Sequence, residues 1–262
     1  RRQVGTLSTA ANDRDARRSV PRMVTFGGDN IDAPMPDLFP ARLRGPSFGP
    51  AKAEATAARM LTVIPREFRG CAVLAEAEPR LSFPASDVVA VAARIFAGTV
   101  RRVTIHGVAG DGKTTAAALM VGELSRLVAA HYAGNERDPL GHTLSFWDFA
   151  LAWCSAHELA TDADEQQPGE GATELARRMR SSPIAVVDDI GNEKGRFPGS
   201  NMVPAGILQT RFDAALVTVT TTGLASTELQ KNYGVGVKRR LSDAKDPLSA
   251  FIPAKSRKTG AK

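Results

Sequence analysis

Cysteine and aromatic residues are scarce in this chain of 262 residues, which has two cysteines and only 6% Phe, Trp and Tyr. Two cysteines, Cys71 and Cys154, are too few for a disulfide framework or a cysteine-rich metal site, and they favour a reducing compartment. The four histidines lack the spacing of metal ligands. The longest apolar stretch, VVAVAARIFAGTV, is interrupted by Arg94 and is too short to span a bilayer. Because no signal-peptide pattern opens the chain, we expect a soluble cytoplasmic protein.

Positive charge is concentrated at the two ends of the chain. Residues 1–60 carry ten Lys and Arg against six Asp and Glu, and residues 254–262 carry four basic residues and no acid. Residues 61–253 are left with 20 basic and 22 acidic residues. We interpret residues 1–60 as a basic extension rich in Pro and Gly, with little fold over 1–55, and residues 254–262 as a basic tail. Such tails suit nucleic acid, but they are equally typical of solvated chain ends.

A glycine-rich turn joins an apolar segment to an alanine-rich one in HGVAGDGKTTAAAL, residues 106–119. Glycines without a β-carbon let such a turn curl and point its N–H groups inward, and a helix start adds a positive dipole end, so the turn suits phosphate. Lys113 can reach the β- and γ-phosphates, and the hydroxyl of Thr114 can bind Mg²⁺. The G-x-x-x-x-G-K-T spacing is the Walker A pattern, so we predict an ATP site formed by Gly107, Gly110, Asp111, Gly112, Lys113, Thr114 and Thr115.

A second motif, IAVVDDIG, ends an apolar strand with two acids, 75 residues after Lys113. We predict that Asp188 holds Mg²⁺ and that Asp189 orients or deprotonates the attacking water. The alternative is a strand that simply ends in an acidic turn. The next strand ends in three threonines, residues 220–222, whose hydroxyls could reach the γ-phosphate, although threonine also favours strands for its own sake.

Strand patterns alternate with helix patterns from residue 61 onward. Strands are predicted over 101–106, over the apolar part of IAVVDDIG and over the segment that ends at residue 222; helices are predicted over 86–98, 113–131 and 203–214. Phe146, Phe149 and Trp153 have helical spacing and are expected on one core-facing side of a helix. The alternation predicts an α/β fold with a central parallel sheet flanked by helices.

Five motifs occur in a fixed order within residues 61–245, and together they resemble the DnaC/IstB-like AAA+ ATPases. The motifs are IPREFRG, HGVAGDGKTTAAAL, VVDDIG, VTVTTTGL and YGVGVKRRL. The resemblance implies a P-loop NTPase of AAA+ type, with Arg240 as a finger that reaches the nucleotide of a neighbouring subunit, and hence an ATP-dependent homo-oligomer. In that family Glu stands at the position of Asp189, and Asn stands at Gly223 or Thr222, so hydrolysis is expected to be slow. Only 21 residues follow Leu241, which is too few for a full C-terminal lid domain.

The resemblance implies an ATPase that binds single-stranded DNA and loads or remodels a replicative helicase. A transposition helper of the IstB kind is the alternative within the family, and a nucleotide-binding adaptor with little hydrolysis is the alternative outside it. The cluster Arg177, Arg178 and Arg180 could contact DNA phosphates, but it could equally complement a helix dipole.

Overall fold

The computed structural model describes residues 50–132, 149–166, 171–197, 199–242 and 246–254. A five-stranded parallel sheet lies at its centre, in the order β2-β3-β4-β1-β5. The strands are β1 (Arg102–His106), β2 (Leu151–Ser155), β3 (Ile184–Ile190), β4 (Val217–Thr222) and β5 (Ser249–Pro253). The predicted α/β fold with a central parallel sheet is confirmed.

Helices cover both faces of this sheet. They are α1 (Pro50–Thr62), α2 (Leu74–Ala77), α3 (Ala85–Phe96), α4 (Lys113–Tyr132), α5 (Ala156–Asp164), α6 (Glu174–Ser181), α7 (Val203–Asp213) and α8 (Ser226–Ser242). Successive side chains of a strand point to opposite faces, and β3 shows this directly: Ile184 and Val186 join the core under α1, α3 and α4, whereas Ala185 and Val187 join the core under α5 to α8. None of the described helices has the length and apolar character that a bilayer span requires.

Helix α1 includes residues 50–55, the end of the segment that was expected to have little fold. Ala53, Ala57 and Met60 follow helical spacing and are buried, and the Ser125 hydroxyl of α4 donates to the Ala57 carbonyl at 2.9 Å. Ordered chain therefore extends back at least to Pro50. Residues 1–49 and 255–262 lie outside the described residues, and the predicted domain limits stay predictions.

Two further elements differ from the sequence prediction. Trp153 lies in β2 rather than on a helix, because the chain is extended over Leu151–Ser155 and the helix begins only at Ala156 with a capping box between Ser155 and Glu158. Phe146 lies outside the described residues. Strand β5 was not predicted; it pairs with β1 at the sheet edge, where a five-residue segment gives little periodic signal.

The carboxyl ends of β1, β3 and β4 meet at one edge of the sheet. Ladder pairs join His106 of β1 to Thr222 of β4, and Ile190 of β3 to the same Thr222. Between Val187 and Ile190 the β3–β4 register shifts, so that two residues of β3, Asp188 and Asp189, lie opposite the single Thr221 of β4. This bulge brings the two acids to the edge where ligands of open α/β sheets bind.

Candidate active site

The glycine-rich turn between β1 and α4 depends on the absence of side chains. Gly110 and Gly112 adopt positive φ angles of 85° and 82°, a conformation that favours glycine. A Cβ at Gly112 would lie 2.3 Å from the carbonyl oxygen of Arg80, and one at Gly107 would lie 2.7 Å from Oδ2 of Asp111. A side chain at Gly112 would therefore collide with the backbone of Arg80, and the positive φ angles at Gly110 and Gly112 favour glycine.

The side chain of Asp111 braces this loop from inside. Its Oδ2 accepts a hydrogen bond from the N–H of Val108 at 2.8 Å, and the residue is only 6% exposed. The backbone oxygen of Asp111 accepts from the N–H of Ser82 at 3.0 Å. Asp111 was predicted as a nucleotide-binding residue; the structure gives its carboxylate a contact within the loop, and a nucleotide contact through its backbone stays a prediction.

Lys113, Thr114 and Thr115 form the first turn of α4. The Nζ of Lys113 donates to the carbonyl of Val108 at 3.0 Å, which holds the ammonium over the turn. Thr115 is buried, whereas the half-buried Thr114 directs its hydroxyl at Asp188, with 3.0 Å between Oγ1 and Oδ2. The structure thus brings together the Walker A and Walker B residues that the sequence predicts for a metal.

Asp188 is a buried carboxylate held by two hydroxyls. Burial raises its pKa, while hydrogen bonds from Thr221 and Thr114 oppose that rise. Thr221 Oγ1 lies 2.5 Å from Oδ1 of Asp188, an oxygen that Thr114 also approaches, at 3.3 Å. A carboxylate that is desolvated in this way can offset the cost of its charge by taking a cation.

Asp189 has a different environment, although it is the next residue. Its φ angle is 59°, a left-handed conformation that is uncommon for a residue with a side chain. Oδ2 of Asp189 accepts a hydrogen bond from Nδ2 of Asn192 at 2.6 Å, within the turn that follows β3. The carboxylate predicted to handle water is therefore engaged by its own turn.

Only one of the three threonines at the end of β4 contacts the acids. Thr220 donates its hydroxyl to the carbonyl of Val103 at 3.0 Å, and Thr222 donates to the carbonyl of Ile190 at 2.8 Å. The hydroxyl hydrogen of Thr222 is therefore used in a bond to the backbone of β3. A Cβ at Gly223 would lie 3.9 Å from Lys113 Nζ. Gly223 thus lies beside the glycine-rich turn, but it has no side chain that could contact a ligand there.

Arg240 lies away from the glycine-rich turn of its own chain. Its guanidinium donates to Oε1 of Gln209 at 2.6 Å and pairs with Oδ1 of Asp213 at 2.9 Å. The cavity that Arg240 lines is also lined by Arg102, the first residue of β1, whereas the turn follows the last residue of that strand. A role for Arg240 at the nucleotide of a neighbouring subunit stays a prediction.

The arginine cluster of α6 lies near the carboxyl end of that helix. Arg177 pairs with Glu174 at 3.0 Å, with both side chains largely exposed, and its Nε donates to the carbonyl of Ala172. Arg178 and Arg180 occupy the last turn, where cations complement the helix dipole. Arg177 therefore already has partners within the chain, and Arg178 and Arg180 stand where the helix dipole favours a cation.

The residues present fit a nucleotide with a magnesium ion. A curled backbone at a helix start suits phosphate, and Mg²⁺ is commonly held by one or two carboxylates together with substrate phosphates. Thr114 and Asp188 supply such oxygens side by side. No cluster of three or more His, Cys, Asp or Glu residues that could hold a metal by itself occurs within the described ranges.

No family model matches this chain, and no curated protein matches it. The chain is similar to the crystal structure of DnaI, with a TM-score of 0.46 and 18% identity over 76% of this chain and 98% of that one. It is also similar to the crystal structure of the DnaC helicase loader, with a TM-score of 0.42 and 17% identity over 60% of this chain and 80% of that one.

Sequence reasoning missed three contributors to the site. Arg80 and Ser82 close the glycine-rich turn from the side through their backbones, which leaves no signal in residue type. Asn192 binds Asp189, and its position three residues later in a polar turn is the one clue to this contact.

Proposed function

We propose that this chain binds ATP with Mg²⁺ and acts as an ATPase of the AAA+ type. The observation that carries the proposal is the contact between the hydroxyl of Thr114 and the carboxylate of Asp188, beside a loop whose backbone favours glycine. Phosphate at this position would receive the N–H groups of the loop and of the first turn of α4. Lys113 would move from the Val108 carbonyl to the phosphates, since its ammonium is a mobile point charge.

Each acid would then have its own task. Asp188 and Thr114 would hold Mg²⁺, which neutralises the charge of the β- and γ-phosphates when it is bound. Asp189 would orient the attacking water or accept its proton. Oδ2 of this carboxylate accepts a hydrogen bond from Asn192 at 2.6 Å, so Oδ1 is the oxygen without that bond.

A nucleotide-binding adaptor with little turnover is the second candidate. The bond between Asp189 and Asn192 favours it, because this bond fixes Oδ2 of the carboxylate within the turn that follows β3. The glycine at position 223 favours it as well, since no side chain from this position can contact a γ-phosphate or its water. Turnover separates the two candidates, whereas both bind ATP.

Single-stranded DNA is the proposed nucleic-acid ligand, and the loop after β3 supports it. Lys194, Arg196 and Phe197 are exposed there, and the Phe197 ring is 55% exposed. Cations beside an exposed aromatic ring suit phosphates and unstacked bases. Asp164 fixes this loop, because its carboxylate accepts hydrogen bonds from the N–H groups of Arg196 and Phe197 and from the Ser200 hydroxyl.

The proposed protein partner is a replicative helicase, and the proposed assembly is an ATP-dependent homo-oligomer. Both rest on the ordered motifs that resemble the DnaC-like proteins. An arginine finger that acts across a subunit boundary has to lie away from its own nucleotide, and Arg240 lines a cavity with Arg102, at the start of β1, rather than with the glycine-rich turn. The partner is tested by binding of the purified replicative helicase of the same cell to the full chain and to a chain that lacks residues 1–49.

The proposed activity is tested by ATP binding and ATP turnover, each measured with and without single-stranded DNA. ATP binding that needs Mg²⁺, together with turnover that rises with DNA, supports the ATPase. Binding with no turnover in either condition supports the adaptor. A chain that binds no ATP in the presence of Mg²⁺ contradicts both.

A further inference from the structure

Thr221 is fully buried in β4 and touches both acids of the site. Its Oγ1 accepts the backbone N–H of Asp189 at 2.7 Å and lies 2.5 Å from Oδ1 of Asp188. A threonine hydroxyl has one hydrogen to donate. Because an ionised carboxylate has no hydrogen to donate, the hydroxyl hydrogen of Thr221 points at the Asp188 carboxylate.

The bulge in β3 explains why a side chain is needed there. Val187 pairs with Thr220 and Ile190 with Thr222, so Asp188 and Asp189 share Thr221 as their opposite residue. An extra residue in a bulge is left without its ladder partner. The hydroxyl of Thr221 takes the place of that partner for the Asp189 N–H, and it thereby supports a left-handed residue with a φ angle of 59°.

The same hydroxyl fixes the carboxylate of Asp188. Thr114 of α4 lies 3.0 Å from Oδ2 and 3.3 Å from Oδ1, and Thr221 of β4 lies 2.5 Å from Oδ1, so the carboxylate is held from two elements. Without Thr221 the carboxylate could rotate about its side-chain bonds, and Oδ1 would keep only the longer contact with Thr114, at 3.3 Å. A metal ligand is effective only when other groups hold its orientation.

We infer that Thr221 is a positioning residue for the divalent cation: its hydroxyl orients the Asp188 carboxylate and fixes the turn at Asp189. The inference rests on the proposed binding of ATP with Mg²⁺. Thr221 contacts neither nucleotide nor metal in this role, and it acts through the two acids.

The test compares Thr221→Val, Thr221→Ser and Thr220→Val in the full chain, by titration calorimetry of ATP in Mg²⁺ and in EDTA. Valine keeps the shape of threonine and removes the hydroxyl, so Thr221→Val should weaken the Mg²⁺ dependence of ATP affinity by about tenfold. Affinity in EDTA should stay within about twofold of the wild type, because the loop and Lys113 are untouched. Thr221→Ser, which keeps the hydroxyl, should restore most of the Mg²⁺ dependence.

Thr220→Val is the matched control, since it removes a buried hydroxyl from the same strand. The Thr220 hydroxyl donates to the Val103 carbonyl and not to an acid. An unchanged Mg²⁺ dependence in Thr221→Val overturns the inference, as does an equal loss in Thr220→Val. If Thr221→Val does not fold, Thr221→Ala is measured in the same way against Thr221→Ser. A wild-type chain that binds no ATP overturns the proposed function itself, whereas normal wild-type binding with an insensitive Thr221 overturns the inference alone.

Discussion

The hydroxyl of Thr114 lies 3.0 Å from Oδ2 of Asp188, although 74 residues separate the two along the chain. Thr114 belongs to the first turn of the helix after β1, and Asp188 belongs to the end of β3. Strand β4 lies between these two strands, so the contact spans the width of one strand at the carboxyl edge of the sheet. The arrangement is what a metal shared by a hydroxyl and a carboxylate requires.

Lys113→Ala should abolish detectable ATP binding in the presence of Mg²⁺. The Nζ of Lys113 donates a hydrogen bond to the Val108 carbonyl. The substitution removes the main mobile positive charge that phosphate would meet, and it removes no buried side chain. The expected loss is about a hundredfold or more in affinity, which corresponds to about 3 kcal/mol. Titration calorimetry measures it.

Arg126→Ala serves as the control for Lys113→Ala, because it removes an exposed cation of the same helix that pairs with Glu123. Its ATP affinity and thermal unfolding should match those of the wild type. Unchanged affinity in Lys113→Ala would contradict the assignment of the phosphate loop.

Asn192→Ala should raise ATP turnover by about three- to tenfold, because it removes a hydrogen bond that fixes the Asp189 carboxylate within its own turn. Asp189→Glu should also raise turnover if the shorter side chain is limiting, whereas Asp189→Asn should keep ATP bound and lower turnover. Asn201→Ala is the control within the same loop, since Asn201 binds the N–H of Gly195 and not Asp189. A fall in turnover for Asn192→Ala would mean that Asn192 orients the acid correctly.

The backbone of the site was predictable from sequence because its signals are local. Glycines at fixed offsets before Lys113, and an apolar run before Asp188, each report the strand or turn in which they lie. The side-chain pairings were not predictable to the same degree. Whether a hydroxyl of β4 meets Asp188 depends on which residue faces the bulge, and a shift of one position moves every side chain to the other face. Threonines 220, 221 and 222 look alike in sequence, but only Thr221 meets the acids.

Other parts of the fold left weak signals or misleading ones. The edge strand β5 has five residues, and helix α1 buries mainly alanine, so neither shows a strong apolar period. Arg211 is typical of a surface cation in sequence, yet it is fully buried. Burial lowers its pKa to about 9, so it remains a cation at neutral pH.

Arg211→Met should destabilise the fold by about 3 kcal/mol or more, because its removal leaves buried acceptors without donors. The guanidinium donates to four carbonyls, those of Met179, Ser182, Pro183 and Val217, and to the hydroxyl of Thr218. It thereby joins α6 to the starts of β3 and β4. Denaturant unfolding measures the loss, and Arg177→Met, an exposed change on α6, should stay within about 0.5 kcal/mol of the wild type. A small effect for Arg211→Met would contradict the structural role of this buried cation.

Arg240→Ala should leave ATP binding by the isolated chain nearly normal and should remove ATP-dependent assembly or hydrolysis, because the proposed finger acts across a subunit boundary. Arg240 also ties α8 to Gln209 and Asp213 of α7. Asp213→Asn is therefore the control, since it weakens the tie and keeps the cation. Mixing Arg240→Ala with Lys113→Ala subunits gives the sharper test. Activity at mixed interfaces is expected only if each Arg240 serves the nucleotide of its neighbour.

Affinity for single-stranded DNA should fall with salt, and the slope should identify the DNA surface. Each single-strand phosphate that is neutralised contributes about 0.7 log units of affinity per log unit of salt. Deletion of residues 254–262 removes four cations and could lower the slope by at most about 2.8, whereas the double change Lys194→Gln and Arg196→Gln could lower it by at most about 1.4. Phe197→Ala should weaken binding by about 1–3 kcal/mol without a change of slope, because stacking releases no counterions.

These variants separate a DNA surface on the basic tail from one on the loop after β3. If only the tail deletion moves the slope, the contacts are tail-borne and independent of sequence, as the surplus of positive charge in the tails suggests. If only the loop changes move it, DNA binds beside the nucleotide site, where Asn192 connects the loop to Asp189. If neither moves it, the cluster Arg177, Arg178 and Arg180 is the next surface to change. Affinity with no salt dependence at all would argue against nucleic acid as an electrostatic partner and would favour the adaptor.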